Sequence, residues 1–383
     1  MTTFSAPKLL VGSEIIGPGA VVVHDGLIHQ ILDHIPAAAS DHVRLTSGML
    51  APGMIDLQIN GCFGVDFADA SPEQWALARQ RLARTGVTSF LPTLITASIS
   101  QLSHQLKDVA REQRRVVPGG AQVLGAHVEG PFLSPVRAGA HDVALLVDPT
   151  QSRIEDLLSS GADAVVLVVT LAPERPGALA AIRQLRERGV IVSAGHTDAT
   201  AEQLSEAADA GATMITHLFN AQRGLHHREP GVAGAGLADP RYRLGLIADL
   251  HHVAGTVVKI AFQAAPDRVV LVTNAVAAMG MPPGTSTLGG EPTIVDGDGQ
   301  PARRDDGTLA GSTLTLDQAV RNVVGLGVNR ATALGSATSV PADVIGRADL
   351  GRIAVGAAAD LVWWDESLSV LEVWLGGAPV GLH

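Results

Sequence analysis

The sequence predicts an α/β fold, a (β/α)8 TIM-like barrel that carries a small β-sandwich domain built from both chain termini. Three observations lead to this prediction. Eight apolar, strand-like runs follow one another through the middle of the chain, helical segments separate them, and both ends of the chain are rich in short β-like pieces. A chain of 383 residues is long enough for one large domain and a smaller one.

The strand-like runs are continuously apolar rather than alternating, which is typical of parallel strands buried on both faces. The eight runs are 54–60, 88–93, 121–129, 164–171, 190–196, 214–219, 243–250 and 268–273. A doubly wound open sheet is the structural alternative. No glycine-rich phosphate loop follows the first run to favour that alternative.

Helix signals stand between these runs. Ser71 and Gln74 have the spacing of a capping box, and Thr200 and Gln203 repeat it. A third helical pattern extends from about 177 to 188 and ends at a glycine. Strands that alternate with helices in this way favour the closed barrel.

The two ends of the chain differ from the middle. Residues 1–52 and 343–383 combine short β-like pieces with turn residues, so we expect them to form the small β-sandwich domain beside a barrel of residues 53–342. The segment 281–311 is rich in Gly, Pro and Asp and predicts a long loop, which in a barrel is often functional.

Composition excludes several classes of protein. With 38 acidic and 27 basic residues the net charge is −11, which argues against nucleic acid or an anionic membrane as the main partner. No stretch approaches the ~20 apolar residues of a membrane span, and the N-terminus has no signal-peptide pattern. The single cysteine, Cys62, cannot form an internal disulfide and is expected to be a packed apolar residue. We therefore expect a soluble cytoplasmic protein.

Polar side chains collect at the C-terminal ends of the predicted strands, where such barrels place their active sites. Glu129 ends the third run, His196 ends the fifth, and His217 lies in the sixth. Taken singly, each could be a hydrogen-bonded loop residue. Together, one carboxylate and two imidazoles form a known catalytic zinc set with an open fourth position. The sequence therefore predicts that Glu129, His196 and His217 bind one divalent metal ion.

Five motifs resemble those of the N-acetylglucosamine-6-phosphate deacetylases of the amidohydrolase superfamily. They are Pro52-Gly53-Met54-Ile55-Asp56, His127-Val128-Glu129-Gly130-Pro131-Phe132, Gly139-Ala140-His141, Ala194-Gly195-His196-Thr197 and Thr216-His217-Leu218-Phe219-Asn220-Ala221. The resemblance covers nearly the whole chain. It implies a homodimer that deacetylates N-acetylglucosamine 6-phosphate to glucosamine 6-phosphate and acetate, in amino-sugar catabolism and cell-wall recycling.

The implied chemistry is amide hydrolysis by metal-activated water. Bound zinc lowers the pKa of its water to ~7, which supplies hydroxide at neutral pH. One Zn²⁺ per subunit is expected, although iron, cobalt or manganese would also suit the ligands. By resemblance, His141 donates a hydrogen bond to the acetyl carbonyl oxygen as negative charge develops there.

The first strand departs from the superfamily's usual Ile-Asp-x-His-x-His pattern. Gln58 and Asn60 stand where the two histidines of a second metal site would be. An amide carbonyl is a weak ligand for zinc. We therefore expect one tightly held ion, with a second one weak or missing, and we expect Gln58 to hydrogen-bond the site.

The eighth run departs from the family at its catalytic aspartate. The run reads Val272-Thr273-Asn274-Ala275, so Asn274 takes the position of the aspartate that moves protons between water and the leaving amine. An amide has no titratable group in the working range, and losing a positioned base costs ~10²–10⁴ in rate. The residues leave open a natural variant that only binds and an inactivating substitution in a competent enzyme. The intact remainder of the site favours the second explanation.

The resemblance also assigns substrate contacts. Residues that would bind the sugar and its phosphate are Ala140, Asn220, Ala221, Arg228, His252, Leu309, Ala310 and Gly311. Asn220 and Ala221 would offer backbone N–H groups, and one of the two basic residues would reach in from the neighbouring subunit. Leu250 replaces a glycine of the family pattern, so the backbone path there is expected to differ.

Two other functions remain open. Another amidohydrolase, such as a cyclic amidase or deaminase, would need paired first-strand histidines or a bridging lysine, and neither Lys107 nor Lys259 lies at a strand end. A catalytically silent sugar-phosphate binding protein is the alternative from a different class.

Overall fold

A closed barrel of eight parallel strands forms the centre of the molecule. The computed structural model describes residues 1–36, 41–159 and 165–381. The barrel strands, labelled β1 to β8 in chain order, are Met54–Ile59, Val87–Ile95, Ala126–Glu129, Val166–Leu171, Ile191–Ala194, Ala212–Ile215, Arg243–Leu246 and Val269–Leu271. Each strand pairs in parallel with the next one along the chain. The predicted barrel is therefore confirmed, except that Ala164 of the fourth predicted run lies outside the described residues.

The first and last strands meet just beyond β8. The backbone N–H of Asn274 donates to the Gln58 carbonyl at 2.7 Å, and the N–H of Asn60 donates to the Ala275 carbonyl at 2.8 Å. A parallel bridge between Ile59 and Ala275 accompanies these bonds. This contact brings the end of the chain's first barrel strand against the turn that carries Asn274.

Helices follow the barrel strands and cover them. The helices, labelled α1 to α10, are Pro72–Arg84, Ile99–Arg114, Gln151–Leu158, Ala178–Glu187, Ala201–Ala210, Gly231–Ala238, Gly255–Ala264, Leu316–Gly325, Arg330–Gly335 and Ser339–Val344. Both predicted capping boxes are present, at Ser71 with Gln74 and at Thr200 with Gln203. Such caps satisfy N–H groups that the first helical turn leaves without partners.

Two further sheets are built from the chain ends. A four-stranded sheet contains Thr2–Ala6, Gly19–His24, Leu27–Leu32 and His42–Arg44, and a six-stranded sheet contains Leu9–Val11, Glu14–Ile16, Met49–Pro52, Leu361–Trp364, Val370–Leu375 and Ala378–Pro379. Antiparallel pairing of Met49–Pro52 with Leu361–Trp364 joins the two termini in one sheet. The rings of Phe4 and Trp374 pack edge-on between these sheets at 5.2 Å. The domain boundaries at 52 and 343 and the sandwich arrangement stay predictions.

The segment after β8 is not the long loop that the sequence predicted. Gly284–Leu288 and Glu291–Val295 pair as an antiparallel hairpin, called the rim hairpin below. Its two turn residues, Gly289 and Gly290, both have positive φ, at +63° and +83°, which is the conformation that a tight hairpin turn demands. The prediction was wrong here because the Gly-Gly turn signal was read only as loop composition.

Short elements complete the described structure. They are the strands Gly61–Cys62, Val65–Asp66 and Gln122–Val123 and the 3₁₀ turns Pro135–Arg137 and Val143–Leu145. None of the described helices combines the length and apolar character that crossing a membrane requires.

Candidate active site

Glu129, His196 and His217 come together at the C-terminal mouth of the barrel. Glu129 is the last residue of β3, and the two histidines lie two residues beyond β5 and β6. The Nε2 atom of His217 lies 2.9 Å from Oε1 of Glu129, and the Nε2 atom of His196 lies 3.3 Å from the same oxygen. The two Nε2 atoms are 3.1 Å apart. Three ligand atoms thus converge on one point.

The strands end here in a strained backbone conformation. His196, His217 and Asn274 have φ values of +46°, +28° and +47°, a region that non-glycine residues rarely adopt. Each such residue costs on the order of 1–3 kcal/mol and persists only where its surroundings hold it. The mouth of the barrel therefore stores strain at three of the residues that the sequence singled out.

Hydrogen bonds fix which ring nitrogen of His196 is free. Its Nδ1 atom lies 2.9 Å from the carbonyl oxygen of Arg137, and a carbonyl only accepts, so Nδ1 carries the proton. With this proton on Nδ1, Nε2 is the ring nitrogen that can offer a lone pair to a cation beside Glu129. The Nδ1 atom of His217 has no partner among the described residues.

The carboxylate of Glu129 is buried but ionised. Burial alone opposes the charge, yet the imidazoles of His196 and His217 beside the carboxylate hold the pKa of Glu129 well below its usual range. Burial lowers the pKa of His217. One carboxylate oxygen and two imidazole nitrogens are a donor set that suits a divalent cation.

His141 lies beside this group but has a different hydrogen-bonding state. Glu129, His141 and His196 also place one potential ligand atom each within 4.8 Å of one another. The backbone N–H of Thr96 donates to Nδ1 of His141 at 3.3 Å, and the Thr96 hydroxyl lies 2.8 Å from the same atom. Burial lowers the pKa of His141 to about 3. The neutral ring therefore carries its proton on Nε2, where it is a hydrogen-bond donor rather than a metal ligand.

The amide side chains of the first strand hold Asn274. Asn60 Nδ2 donates to the Asn274 side-chain oxygen at 2.8 Å, and Gln58 Nε2 lies 3.4 Å from the same oxygen. Gln58 Nε2 also donates to Glu129 Oε1 at 3.1 Å. The prediction that Gln58 hydrogen-bonds the site is confirmed. Through these contacts the side chain of Asn274 lies next to the carboxylate of Glu129.

Asp56 forms the layer beneath these amides. Its carboxylate accepts from the Thr273 hydroxyl at 2.6 Å and from the backbone N–H of Gln58 at 3.1 Å. Burial raises the pKa of Asp56 to about 7, although these hydrogen bonds favour the charged form. Asp56 therefore ties β1 to the turn after β8 without entering the cavity.

One cavity of about 350 Å³ contains most of the predicted site. Its lining includes Ala140, His141, Asn220, Ala221, His252, Asn274, Leu309, Ala310 and Gly311 together with Glu129, His196 and His217. Arg228 is exposed and is not part of this lining. The expected backbone N–H of Asn220 already donates to the His217 carbonyl at 2.9 Å because the chain turns sharply there. Asn220 and Ala221 both line the cavity, and their assignment to the phosphate stays a prediction.

His252 reaches the cavity from the loop after β7. Its Nδ1 atom lies 2.6 Å from Oδ2 of Asp249, and both side chains are almost fully buried. Hydrogen bonds from His252 hold the pKa of Asp249 below its usual range in spite of burial. The Asp249 carboxylate therefore holds the ring in place and leaves only Nε2 for a ligand.

Arg137 is a cavity residue that sequence reasoning missed. It lines the cavity, its carbonyl orients His196, and its guanidinium pairs with Asp198 at 2.8 Å. Leu288 of the rim hairpin and Asn60 also line the cavity. The signal that could have found Arg137 in the sequence was its position between two recognised motifs. The contribution of Leu288 depended on the hairpin, which was not predicted.

Comparison with known proteins finds relatives that match over nearly the whole chain. A model described as "Amidohydrolase family" matches residues 49–380. The chain is 41% identical over 357 residues to the N-acetylgalactosamine-6-phosphate deacetylase of Escherichia coli O157:H7, with 93% of each chain covered. It is 36% identical over 382 residues to the N-acetylglucosamine-6-phosphate deacetylase of Vibrio furnissii, with 98% and 94% covered.

A solved structure agrees with these relatives. The structure of an aspartate-to-alanine variant of N-acetyl-D-glucosamine-6-phosphate deacetylase from Mycobacterium smegmatis, in complex with N-acetyl-D-glucosamine-6-phosphate, superimposes with a TM-score of 0.93. That protein is 37% identical, and the match covers 99% of each chain. The similarity therefore extends over the barrel and both terminal sheets.

Proposed function

The chain belongs to the amidohydrolase family, and from that premise we propose that it carries the active site of a metal-dependent deacetylase for N-acetylglucosamine 6-phosphate. The products would be glucosamine 6-phosphate and acetate, formed in the cytoplasm during amino-sugar catabolism and cell-wall recycling. The observation that carries the proposal is the convergence of Glu129, His196 and His217 within 3.3 Å of one another. The N-acetylgalactosamine isomer is a second candidate substrate because one relative is named for it.

The residues at this point fit one divalent cation, most suitably zinc. Glu129 is ionised, and Nε2 of His196 keeps a lone pair because its other nitrogen donates to a carbonyl. Within this proposal a bound cation supplies Lewis-acid chemistry, which lowers the pKa of water and polarises an acyl oxygen. Gln58 would hold Glu129 in place from β1 rather than bind an ion itself.

His141 would stabilise charge on the substrate. Its proton is on Nε2 because Thr96 donates to Nδ1, and burial keeps the ring neutral at neutral pH. A hydrogen-bond donor that is fixed in position stabilises an oxygen that gains negative charge during acyl transfer. His141 is therefore proposed to donate to the acetyl carbonyl oxygen.

Asn274 occupies the position at which the proposed reaction needs a group that accepts a proton from water and returns it to the leaving amine. Its side-chain oxygen is held by Asn60 Nδ2 at 2.8 Å, so a carboxylate of the same shape would be held in the same way. An amide cannot accept the proton of the attacking water or return it to the leaving amine. We propose that the chain binds substrate and is nearly inactive as written.

Binding of the phosphate is assigned to the outer part of the cavity. His252 offers one imidazole nitrogen there, and Ala221 lies on the same lining. Arg228 is exposed outside the cavity of its own chain. This exposed position suits a homodimer in which Arg228 of one subunit completes the phosphate site of the other. An arginine fork suits phosphate oxygens.

The test is to restore the carboxylate. Purified Asn274→Asp protein with added zinc should release acetate from N-acetylglucosamine 6-phosphate at least about 10² times faster than the unaltered chain, since a positioned base contributes ~10²–10⁴. Asn274→Ala is the matched control, because it also removes the amide but supplies no base. The galactosamine isomer is assayed in parallel to determine which of the two sugars is preferred.

The same assay separates the alternative function. A silent sugar-phosphate binding protein would bind N-acetylglucosamine 6-phosphate in calorimetry and leave it intact after Asn274→Asp. That outcome would refute the proposed deacetylase and favour a binding role.

A further inference from the structure

A buried line of hydrogen bonds, made by one imidazole and three hydroxyl groups, crosses the barrel beneath Glu129, His196 and His217. His127 Nε2 lies 2.7 Å from the Thr170 hydroxyl, which lies 2.7 Å from the Thr216 hydroxyl, and the Ser193 hydroxyl lies 2.6 Å from that of Thr216. All four side chains are fully buried. These residues lie on β3, β4 and β5 and directly after β6. We call them the hydroxyl chain.

The direction of every hydrogen bond in this chain follows from its two ends. At one end, His127 Nδ1 lies 3.1 Å from the carbonyl oxygen of Leu57, which can only accept. Thr170 then donates to His127, Thr216 to Thr170, and Ser193 to Thr216. In this order each hydrogen has an acceptor. The reverse order would leave the Ser193 hydrogen without an acceptor among the described residues.

Two of the three proposed metal ligands directly adjoin a member of the hydroxyl chain, and the third follows a glycine that packs against it. Glu129 is paired in register with Thr170 across β3 and β4. His217 directly follows Thr216, and Gly195 directly precedes His196. The hydroxyl chain therefore adjoins Glu129 and His217 directly, and His196 through Gly195.

The surroundings of Gly195 show how closely the hydroxyl chain is packed. A Cβ atom added at Gly195 would lie 2.7 Å from side-chain carbons of both Thr170 and Thr216. Any other residue would displace one or both of these threonine side chains. This contact gives a physical reason for the glycine that precedes His196.

We propose that His127, Thr170, Thr216 and Ser193 are positioning residues that set the affinity of the site for its cation. The inference rests on the proposed metal-dependent function. The hydrogen bonds of the hydroxyl chain, of 2.6 to 2.7 Å, join β3 to β4, β4 to the turn after β6, and that turn to β5, so they hold these elements at a set separation. Residues that orient metal ligands typically contribute ~10–100-fold to metal affinity.

The test compares Thr216→Val with Thr216→Ser. Valine keeps the volume and removes the hydroxyl, so we expect the zinc dissociation constant of the full chain to rise at least about tenfold. Serine keeps the hydroxyl and should bind zinc within about threefold of the unaltered chain. Zinc affinity is measured by competition with a chromogenic chelator, and thermal unfolding is recorded for each protein without metal.

Ser89→Ala is the matched control. Ser89 lies buried on β2, and its hydroxyl has no partner among the described residues. Its removal should leave zinc affinity unchanged. If Thr216→Val fails to fold, Ser193→Ala takes its place, because it removes only the terminal donor and should weaken zinc binding several-fold.

The outcomes are distinct. Zinc binding by folded Thr216→Val or Ser193→Ala that equals that of the unaltered chain would overturn the positioning role. Equal weakening in Thr216→Ser or in Ser89→Ala would overturn it as well, since a general packing effect would then explain the loss. If the unaltered chain itself binds no zinc, the proposed metal-dependent function fails instead.

Discussion

Leu250 is held in a conformation that its side chain disfavours. Its φ is +67°, in the left-handed region, and 40% of the residue is exposed. This region costs an L-residue roughly 1–2 kcal/mol. Asp249 on one side and His252 on the other form a buried pair, and His252 lines the cavity. The strained turn is therefore part of how His252 is positioned.

Two substitutions at Leu250 separate strain from burial. Asn tolerates the left-handed region, whereas the β-branched Val does not. We expect Leu250→Val to be about 1 kcal/mol less stable than Leu250→Asn, as measured by urea unfolding. Burial alone predicts the opposite order, in which the apolar Val variant is more stable than the polar Asn variant. If Val proves the more stable, burial rather than backbone strain dominates at this position.

Individual side chains could be assigned from motifs, but their protonation could not. The order of motifs was enough to predict Glu129, His196 and His217 as neighbours. The donor state of His141 depends on Thr96, which is 45 residues away in the chain and gives no signal in the sequence. The same is true of His196, whose free nitrogen is set by a carbonyl of Arg137.

Asp56 is the side chain that joins the first and last barrel strands. It lies on β1 and accepts hydrogen bonds from the hydroxyl and the backbone N–H of Thr273, at 2.6 Å and 3.3 Å. It is fully buried, which raises its pKa to about 7. Closure of the barrel is thus coupled to the protonation of one carboxyl group.

This coupling predicts a pH dependence of stability. The folded protein keeps the Asp56 proton up to a pKa of about 7, whereas the unfolded chain releases it near 3.8. The stabilisation is therefore fully present below about pH 4 and is lost as the pH rises through 7. Between pH 5 and 8 we expect the free energy of unfolding to fall on the order of 2 kcal/mol relative to Asp56→Asn.

Chemical denaturation of both proteins across this range is the measurement. Asp56→Asn cancels contributions from every other titrating group, since only the carboxyl differs. Parallel curves for the two proteins would mean that Asp56 has the same pKa in the folded and unfolded states.

The rim hairpin shows where element prediction failed. Its strands expose much of their surface, so they lack the continuous apolar pattern that marked the barrel strands. The turn residues Gly289 and Gly290 were visible in the sequence. A hairpin of this kind is stabilised by packing of a few residues such as Leu288 and Val295 against the barrel mouth, and that contact cannot be read from local pattern.

The order of elements in the whole chain was predictable because a barrel pairs its strands in sequence order. For the terminal sheets the sequence predicted β-structure at both chain ends but not which strands pair. Leu361–Trp364 pairs with Met49–Pro52 across more than three hundred residues, and no local signal encodes such a register. The predicted division at residues 52 and 343 awaits a test of independent folding.

Everything proposed for this molecule depends on one cation held by Glu129, His196 and His217. Crystals grown with zinc, measured at the zinc absorption edge, locate the ion by its anomalous scattering. The account predicts one strong peak in contact with Oε1 of Glu129 and with the Nε2 atoms of both histidines. A peak that engages His141 instead of His217, or no peak in the cavity, would contradict it.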